Sequence, residues 1–214
     1  MKYIIMCGGT YKKWEEPRQL NKIFGEPNIA RIIRLLKAQG VTDIVISSNN
    51  PKIYQNFGVP VLYHQNDFTV SKDGVKESGY WCDGFCILDE PVCYIFGDVV
   101  FSPAAIKTIV ETETDSIEFF ASSPPFDKRY VKEWAEPFAV KVCDYKSFEK
   151  AIWKTKEYAA AGLFAREPIM WEIWQVINRT PLNIINYKNY VAINDYTCDM
   201  DDPGDAENIM RMMT

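Results

Sequence analysis

The chain reads as a single α/β domain, a mixed and mostly parallel sheet with helices on both faces. Three observations predict this. Apolar runs of strand length alternate with amphipathic helical stretches from residue 2 to residue 114. The first apolar run stops at a Gly-Gly pair, Gly8-Gly9, as a buried strand does where it delivers the backbone to a ligand. The 214 residues, 47% apolar and 25% charged, are enough to build one core without staples; such a chain buries about 70–75% of its unfolded surface.

Taken in order, residues 2–6 form a buried strand. PNIARIIRLLKAQG (27–40) forms a helix, with Pro27 near its first turn, Ile29, Ile32, Ile33 and Leu36 on one face, and Gly40 as its stop. TDIVISS and VPVLYH are the next strands, and the polar stretch 65–77 is a loop. SGYWCDGFCIL is apolar enough for a buried helix. PVCYIFGDVVF is the strongest strand after the first, and PAAIKTIVET is the helix behind it. In the second half, IEFFASS and EPFAVKV are strands on either side of the loop PPFDKRYVKEWA. Helices follow at 145–158 and 164–178, then a short strand (YVAIN) and a final helix at 205–213. No linker, repeat or low-complexity segment divides the chain, so residues 1–214 are expected to form one domain.

A formal charge of −5 argues against non-specific nucleic-acid binding, which needs a basic face. No apolar run approaches the ~18 residues of a membrane span, and no leader pattern precedes Lys2. The six cysteines make no CxxC pair. Reduced thiols and a cytoplasmic location follow as the default. His64 is the one histidine, in LYHQN, and reads as packing or surface rather than as part of a triad. The oligomeric state is not written in the sequence.

Chemistry concentrates in three places. Gly8-Gly9 is followed by a basic loop carrying Lys12, Lys13 and Arg18. Glycines let backbone N–H groups approach phosphate oxygens, and cations neutralise them; Arg suits a bidentate phosphate contact and Lys acts as a point charge. Taken alone, the glycine pair is also what a tight turn needs. Asp98 ends an apolar strand in IFGDVVF, where an unpaired carboxylate would be costly. A Mg²⁺ ion, which takes one or two carboxylates plus phosphates and water, resolves that cost. Capping the following helix is the alternative role, but Ser102, directly before Pro103, does that better. In NDYTCDMDDPGDAENI, Asp202, Asp205 and Glu207 are accounted for by the start of the last helix. Asp199 and Asp201 are not. An extended 198–201 points both to one side, and Asp201, nearer the helix, is the expected partner of Asp98.

Together, MCGG…K…PRQL…GEP and ARIIRLLKAQGVTDIVI resemble the opening of the sugar-phosphate nucleotidyltransferases. Chains of that family open with a strand and L-A-G/A-G-x-G-T-R, then K-P/Q-L, G-K-P and a helix ending in Gly. Met6-Cys7-Gly8-Gly9 is similar to the L-A-G-G part, Lys13 falls at the signature Arg, Arg18-Gln19-Leu20 at K-Q-L and Gly25-Glu26-Pro27 at G-K-P. Phe96-Gly97-Asp98 resembles the family's L-G-D, and Met200-Asp201-Asp202-Pro203-Gly204-Asp205 its I-D-T-P-E-D. The order of the elements is that of the family. Tyr11 and Lys12 stand where the family has G-T, and Lys13 and Arg18 exchange the usual Arg and Lys. The base-binding G-T-A element is echoed by Glu77-Ser78-Gly79.

The resemblance implies a Rossmann-like, nucleotide-diphospho-sugar transferase fold, with residues 1–115 as the nucleotide half and 116–214 as the acceptor half. It implies Lys13 and Arg18 as catalytic cations. It places nucleotide contacts at Met6, Cys7, Gly8, Gly9, Ser78 and Gly79, and Mg²⁺ on Asp98 and Asp201. The implied reaction moves an NMP group from an NTP to a small phosphorylated acceptor, a sugar 1-phosphate or a phosphocholine-like molecule, releasing pyrophosphate. Two other readings stay open: a GT-A-type glycosyltransferase using a nucleotide-sugar, and a non-catalytic nucleotide-binding regulator. Trp171 and Trp174 read as helix core. Their faces, with Tyr130 and Trp134, could otherwise hold a sugar ring or a quaternary ammonium. Tyr80 and Trp81 read as core, or as a stack for the base. Lys128, Arg129 and Lys132 read as a solvated loop or as acceptor-phosphate contacts.

Overall fold

In a computed structural model of the chain, residues 1–8, 14–65, 69–70, 76–77, 80–122 and 135–214 are described, with the backbone alone at 69–70, 76–77 and 80. Seven strands form the main sheet. They are β1 (Lys2–Met6), β2 (Ile44–Ser48), β3 (Val61–Tyr63), β4 (Val92–Phe96), β5 (Ile117–Ala121), β6 (Pro137–Val142) and β7 (Val191–Ala192). Their order is β7-β5-β6-β4-β1-β2-β3. Only β6 runs antiparallel to its neighbours, so the sheet is mixed and mostly parallel.

The helices are α1 (Asn28–Ala38), α2 (Tyr80–Asp83), α3 (Pro103–Glu111), α4 (Tyr145–Ala160), α5 (Met170–Asn178) and α6 (Pro203–Met212). α1 packs on α3, and α4 packs on α2 and α5. Along α1, Ile29, Ile32, Ile33 and Leu36 are all buried, as their spacing predicts. Gly40, just past its end, has φ +80°, a conformation glycine adopts freely. One core cluster runs from Tyr3 to Ile193, and a smaller one (Ile23, Val100, Cys198, Met200, Ala206, Ile209) joins α6 to the hairpin strands Lys22–Ile23 and Glu26–Pro27. Trp171 and Trp174 are core residues, packed on Phe119. All six cysteines are free.

Several expected elements are shorter than the sequence suggests. The helix over SGYWCDGFCIL is the four residues of α2. The strand of PVCYIFGDVVF stops at Phe96, and Val99–Val100 turns away to pair with Cys198–Asp199. The side chain of Asn28 explains the break, since its Nδ2 donates to the carbonyls of both Gly97 and Val99 (3.1 and 2.9 Å). The helix expected at 164–178 begins at Met170. Pro168 disfavours helical backbone at the residue before it, and buried Glu172 reaches back to accept from the Ile169 N–H (2.9 Å) and from Arg166 Nε (2.7 Å).

Ser102 caps α3, its Oγ accepting from the Ala105 N–H at 2.8 Å while donating to Asp195 at 2.5 Å. Ser102→Ala is expected to lower stability by about 1–2 kcal/mol, measured by urea denaturation; an unchanged midpoint would mean that water replaces the cap.

Candidate active site

The site is built where the parallel strands end. β1 delivers Met6, Cys7 and Gly8 to the carboxyl edge of the sheet, with β2 and β4 on either side. The Cys7 N–H donates to Ser47 O (2.8 Å), and the Ser48 hydroxyl donates to Cys7 O (3.0 Å). On the other side, the Gly97 N–H donates to Met6 O (3.0 Å). A Cβ at Gly97 would stand 2.6 Å from Met6 O and 2.8 Å from Cys7 Sγ, so this approach of strand to turn requires glycine. Burial pushes the Cys7 thiol well up, with Asp98 adding to the effect, so it stays protonated beside the turn.

Asp98 sits immediately past that contact, and the segment around Asp201 comes to it. The Met200 N–H donates to Asp98 O (3.0 Å), and Cys198–Asp199 pairs antiparallel with Val99–Val100. Here the chain alternates: Met200 is fully buried in the smaller core, while Asp199 and Asp201 both face a cleft. Asp205 holds this geometry, its Oδ2 accepting from the N–H groups of Asp201 and Asp202 (2.8 and 2.9 Å). Trp14 ties the amino-terminal loop to the same segment through Nε1–H to Asp201 O (3.1 Å).

Arg18 lies between the two expected metal ligands. It starts a short 3₁₀ turn, Arg18–Leu20, after Pro17. Its Nη2 is 2.6 Å from Asp98 Oδ2, and its Nη1 is 2.8 Å from Asp201 Oδ1 and donates to Met200 O at 2.8 Å. One planar guanidinium thus joins both carboxylates and a carbonyl, a fork geometry that Lys could not reproduce. Its neighbour Gln19 is buried and accepts from Tyr54 Oη (3.2 Å).

The cleft, about 260 Å³, is lined by Arg18, Asp98, Asp199, Asp201, Glu136 and Arg166, with Trp81 and Phe96 as apolar wall. The Trp81 and Phe96 rings meet edge to face at 4.9 Å. Among the described residues, carboxylate oxygens of Glu136, Asp199 and Asp201 all lie within 4.8 Å of one another. Such an all-oxygen set suits a hard divalent cation such as Mg²⁺. Asp98 is outside that trio and on the other side of Arg18's contacts.

Of the site residues expected from sequence, Arg18, Asp98 and Asp201 are brought together, and Met6, Cys7 and Gly8 lead into the same edge. Gly9, Lys13, Ser78 and Gly79 lie outside the described residues, as do Lys12, Lys128, Arg129, Tyr130, Lys132 and Trp134. Glu136 and Arg166 were not anticipated. Buried Glu136 directly precedes the wholly buried strand β6, and a carboxylate there was the available signal. His64 was read as packing or surface; it is buried directly against Gly8.

The sequence matches no protein-family model and no curated protein. Solved structures do match over the whole chain. HddC from Yersinia pseudotuberculosis complexed with GMP-PN aligns with TM-score 0.57 at 14% identity, covering 100% of this chain and 99% of that one. The inositol-1-phosphate CTP transferase from T. maritima aligns with TM-score 0.57 at 12% identity, covering 99% and 95%. CTP:phosphocholine cytidylyltransferase from Streptococcus pneumoniae (LicC) aligns with TM-score 0.53 at 14% identity, covering 100% and 99%. The fold is therefore that of the sugar-phosphate nucleotidyltransferases, a Rossmann-like α/β architecture.

Proposed function

We propose that the protein is a nucleotidyltransferase: it moves an NMP group from an NTP to a small phosphorylated acceptor and releases pyrophosphate. The observation that carries this is the meeting of Asp98, just past the contact of Gly97 with Met6, with the 199–201 segment around Arg18. It occurs at the carboxyl edge of the sheet, where open α/β sheets bind ligands. The similarity of fold to a CTP transferase for inositol 1-phosphate and to a cytidylyltransferase for phosphocholine adds to it.

In this reaction an acceptor phosphate oxygen attacks the α-phosphorus, and the bond from that phosphorus to the bridging oxygen of pyrophosphate breaks. The attacking oxygen is already ionised, so no general base is needed. The protein's work is to position and neutralise. The backbone of Met6–Gly8, with Gly9 and Lys13 beyond it, takes the nucleotide, and residues 116–214 supply most of the acceptor side. Arg18 stabilises charge that develops on the transferred group. Glu136, Asp199 and Asp201 would hold Mg²⁺, with Asp98, now paired with Arg18, turning to it as the further ligand expected from the sequence. When bound, that ion neutralises the phosphates and acts as a Lewis acid on them. Trp81 offers an apolar wall to the acceptor.

The test is pyrophosphate release by purified protein with Mg²⁺, each NTP, and a panel of sugar 1-phosphates and phosphocholine. Release that requires one NTP and one acceptor is expected, and Asp201→Asn should lower it by at least about 100-fold. Turnover of a nucleotide-sugar instead, or tight NTP binding with no release across the panel, would replace the proposal.

A further inference from the structure

His64 is the chain's single histidine and follows β3 at the carboxyl edge of the sheet. It is 92% buried, its relative exposure being 8%. Its Nδ1 lies 3.3 Å from the Ser47 hydroxyl, and that hydroxyl donates to Gly84 O at 3.4 Å. Ser47 has one hydroxyl proton, and with it on Gly84 O, which can only accept, the Ser47 lone pair faces Nδ1–H. Nε2 is then the unprotonated acceptor. It is buried and has no hydrogen-bond partner among the described residues. It also abuts the glycine turn, since a Cβ on Gly8 would stand 2.7 Å from it.

A buried acceptor left without a donor costs about 1–3 kcal/mol, and such groups are rare enough to require a cause. Packing alone does not supply one, because an apolar side chain would fill the space without that cost. A ligand that donates a hydrogen bond at the turn does supply one. Phosphate is the wrong ligand. It offers acceptors, and among the described residues the cations of the site, Arg18 and Arg166, line the acidic cleft. Burial also holds the His64 imidazole below its usual pKa, against a smaller opposing effect of Asp83, so the ring is neutral and a poor anion partner.

Resting on the nucleotidyltransferase reading, we propose that His64 is a specificity-determining residue whose Nε2 accepts a hydrogen bond from an N–H or O–H of the nucleoside seated at the Gly8 turn. The nucleoside is thereby recognised separately from its phosphates. Ser47 fixes the tautomer, and the Gly8 hydrogen leaves room for the ring.

A lone histidine makes the test direct, using untagged protein labelled with ¹⁵N-histidine. Free protein should show the Nδ1–H tautomer. The NTP that supports turnover should move the Nε2 resonance, and inorganic triphosphate should not. In parallel, His64→Leu should raise the Kd of that NTP by at least about tenfold while leaving the Kd of inorganic triphosphate and the KM of the acceptor within twofold. His64→Gln, which keeps an acceptor, should recover part of the loss. Triphosphate and NTP shifting Nε2 alike, or His64→Leu weakening both alike, would overturn the proposal in favour of support for the turn. An unmoved Nε2 with a tightly bound NTP would overturn it as well. If wild-type protein binds no NTP at all, the nucleotidyltransferase reading fails first, and the inference falls with it.

Discussion

Arg18→Met is expected to lower pyrophosphate release by about 100–1,000-fold, the cost of removing one preorganised donor from a transition state that gathers negative charge. The same substitution has a second, independent signature. Arg18 is mostly buried and stands between Asp98 and Asp201, so its loss leaves two carboxylates facing each other without the cation that joins them. In EDTA this should cost about 1–3 kcal/mol of stability. On the proposed function Mg²⁺ binds the folded state, so it should recover more of that loss in the variant than it adds to the wild type. Thermal melts of both proteins with EDTA and with Mg²⁺ measure the difference. Arg18→Lys should fall between, keeping charge but losing the fork. Equal melting temperatures and equal rates for wild type and Arg18→Met would remove Arg18 from the site's chemistry.

Trp171→Ala is expected to destabilise by about 3–5 kcal/mol, the range for deleting a large aromatic from a packed core. The ring is fully buried and meets Phe119, Tyr187 and Tyr190 edge to face at 4.9, 4.8 and 5.2 Å. Its Nε1–H reaches Ala135 O at 3.3 Å, next to Glu136 of the acidic cleft. The loss would therefore loosen the position of that carboxylate as well as the core. Trp153, on α4 and 60% exposed, is the control; Trp153→Ala should change stability by less than about 0.5 kcal/mol. Urea denaturation of both variants decides it, and similar midpoints would mean the α5 face is not the packed layer described.

The local signals in the sequence carried most of the fold. The apolar run and Gly8 mark the central strand, the stripe Ile29–Leu36 marks α1, and Ser102-Pro103 marks the start of α3. These features act within a few residues, which is why they are readable. What the sequence hid depends on distant partners. PVCYIFGDVVF reads as one strand because nothing in it shows that Asn28 will take the carbonyls of Gly97 and Val99. The start of α5 is hidden in the same way, in the reach of Glu172 to Ile169 and Arg166. In the site, the pattern of 198–205 left Asp201 as the expected partner of Asp98, and both carboxylates reach Arg18. It could not show that Arg18 would stand between them, or that Glu136 would join Asp199 and Asp201. His64 offered only its position at the end of a short strand, and its significance lies in its contact with Gly8 and in its finding no donor among the described residues.

The pairing of residues 198–201 with 98–100 has a consequence for biosynthesis. Every strand of the main sheet precedes residue 193, so the sequence of the scaffold is complete before the segment carrying Asp199 and Asp201 begins. A chain cut short between those points would carry the strands of the sheet but lack the segment that brings Asp199 and Asp201 to the cleft.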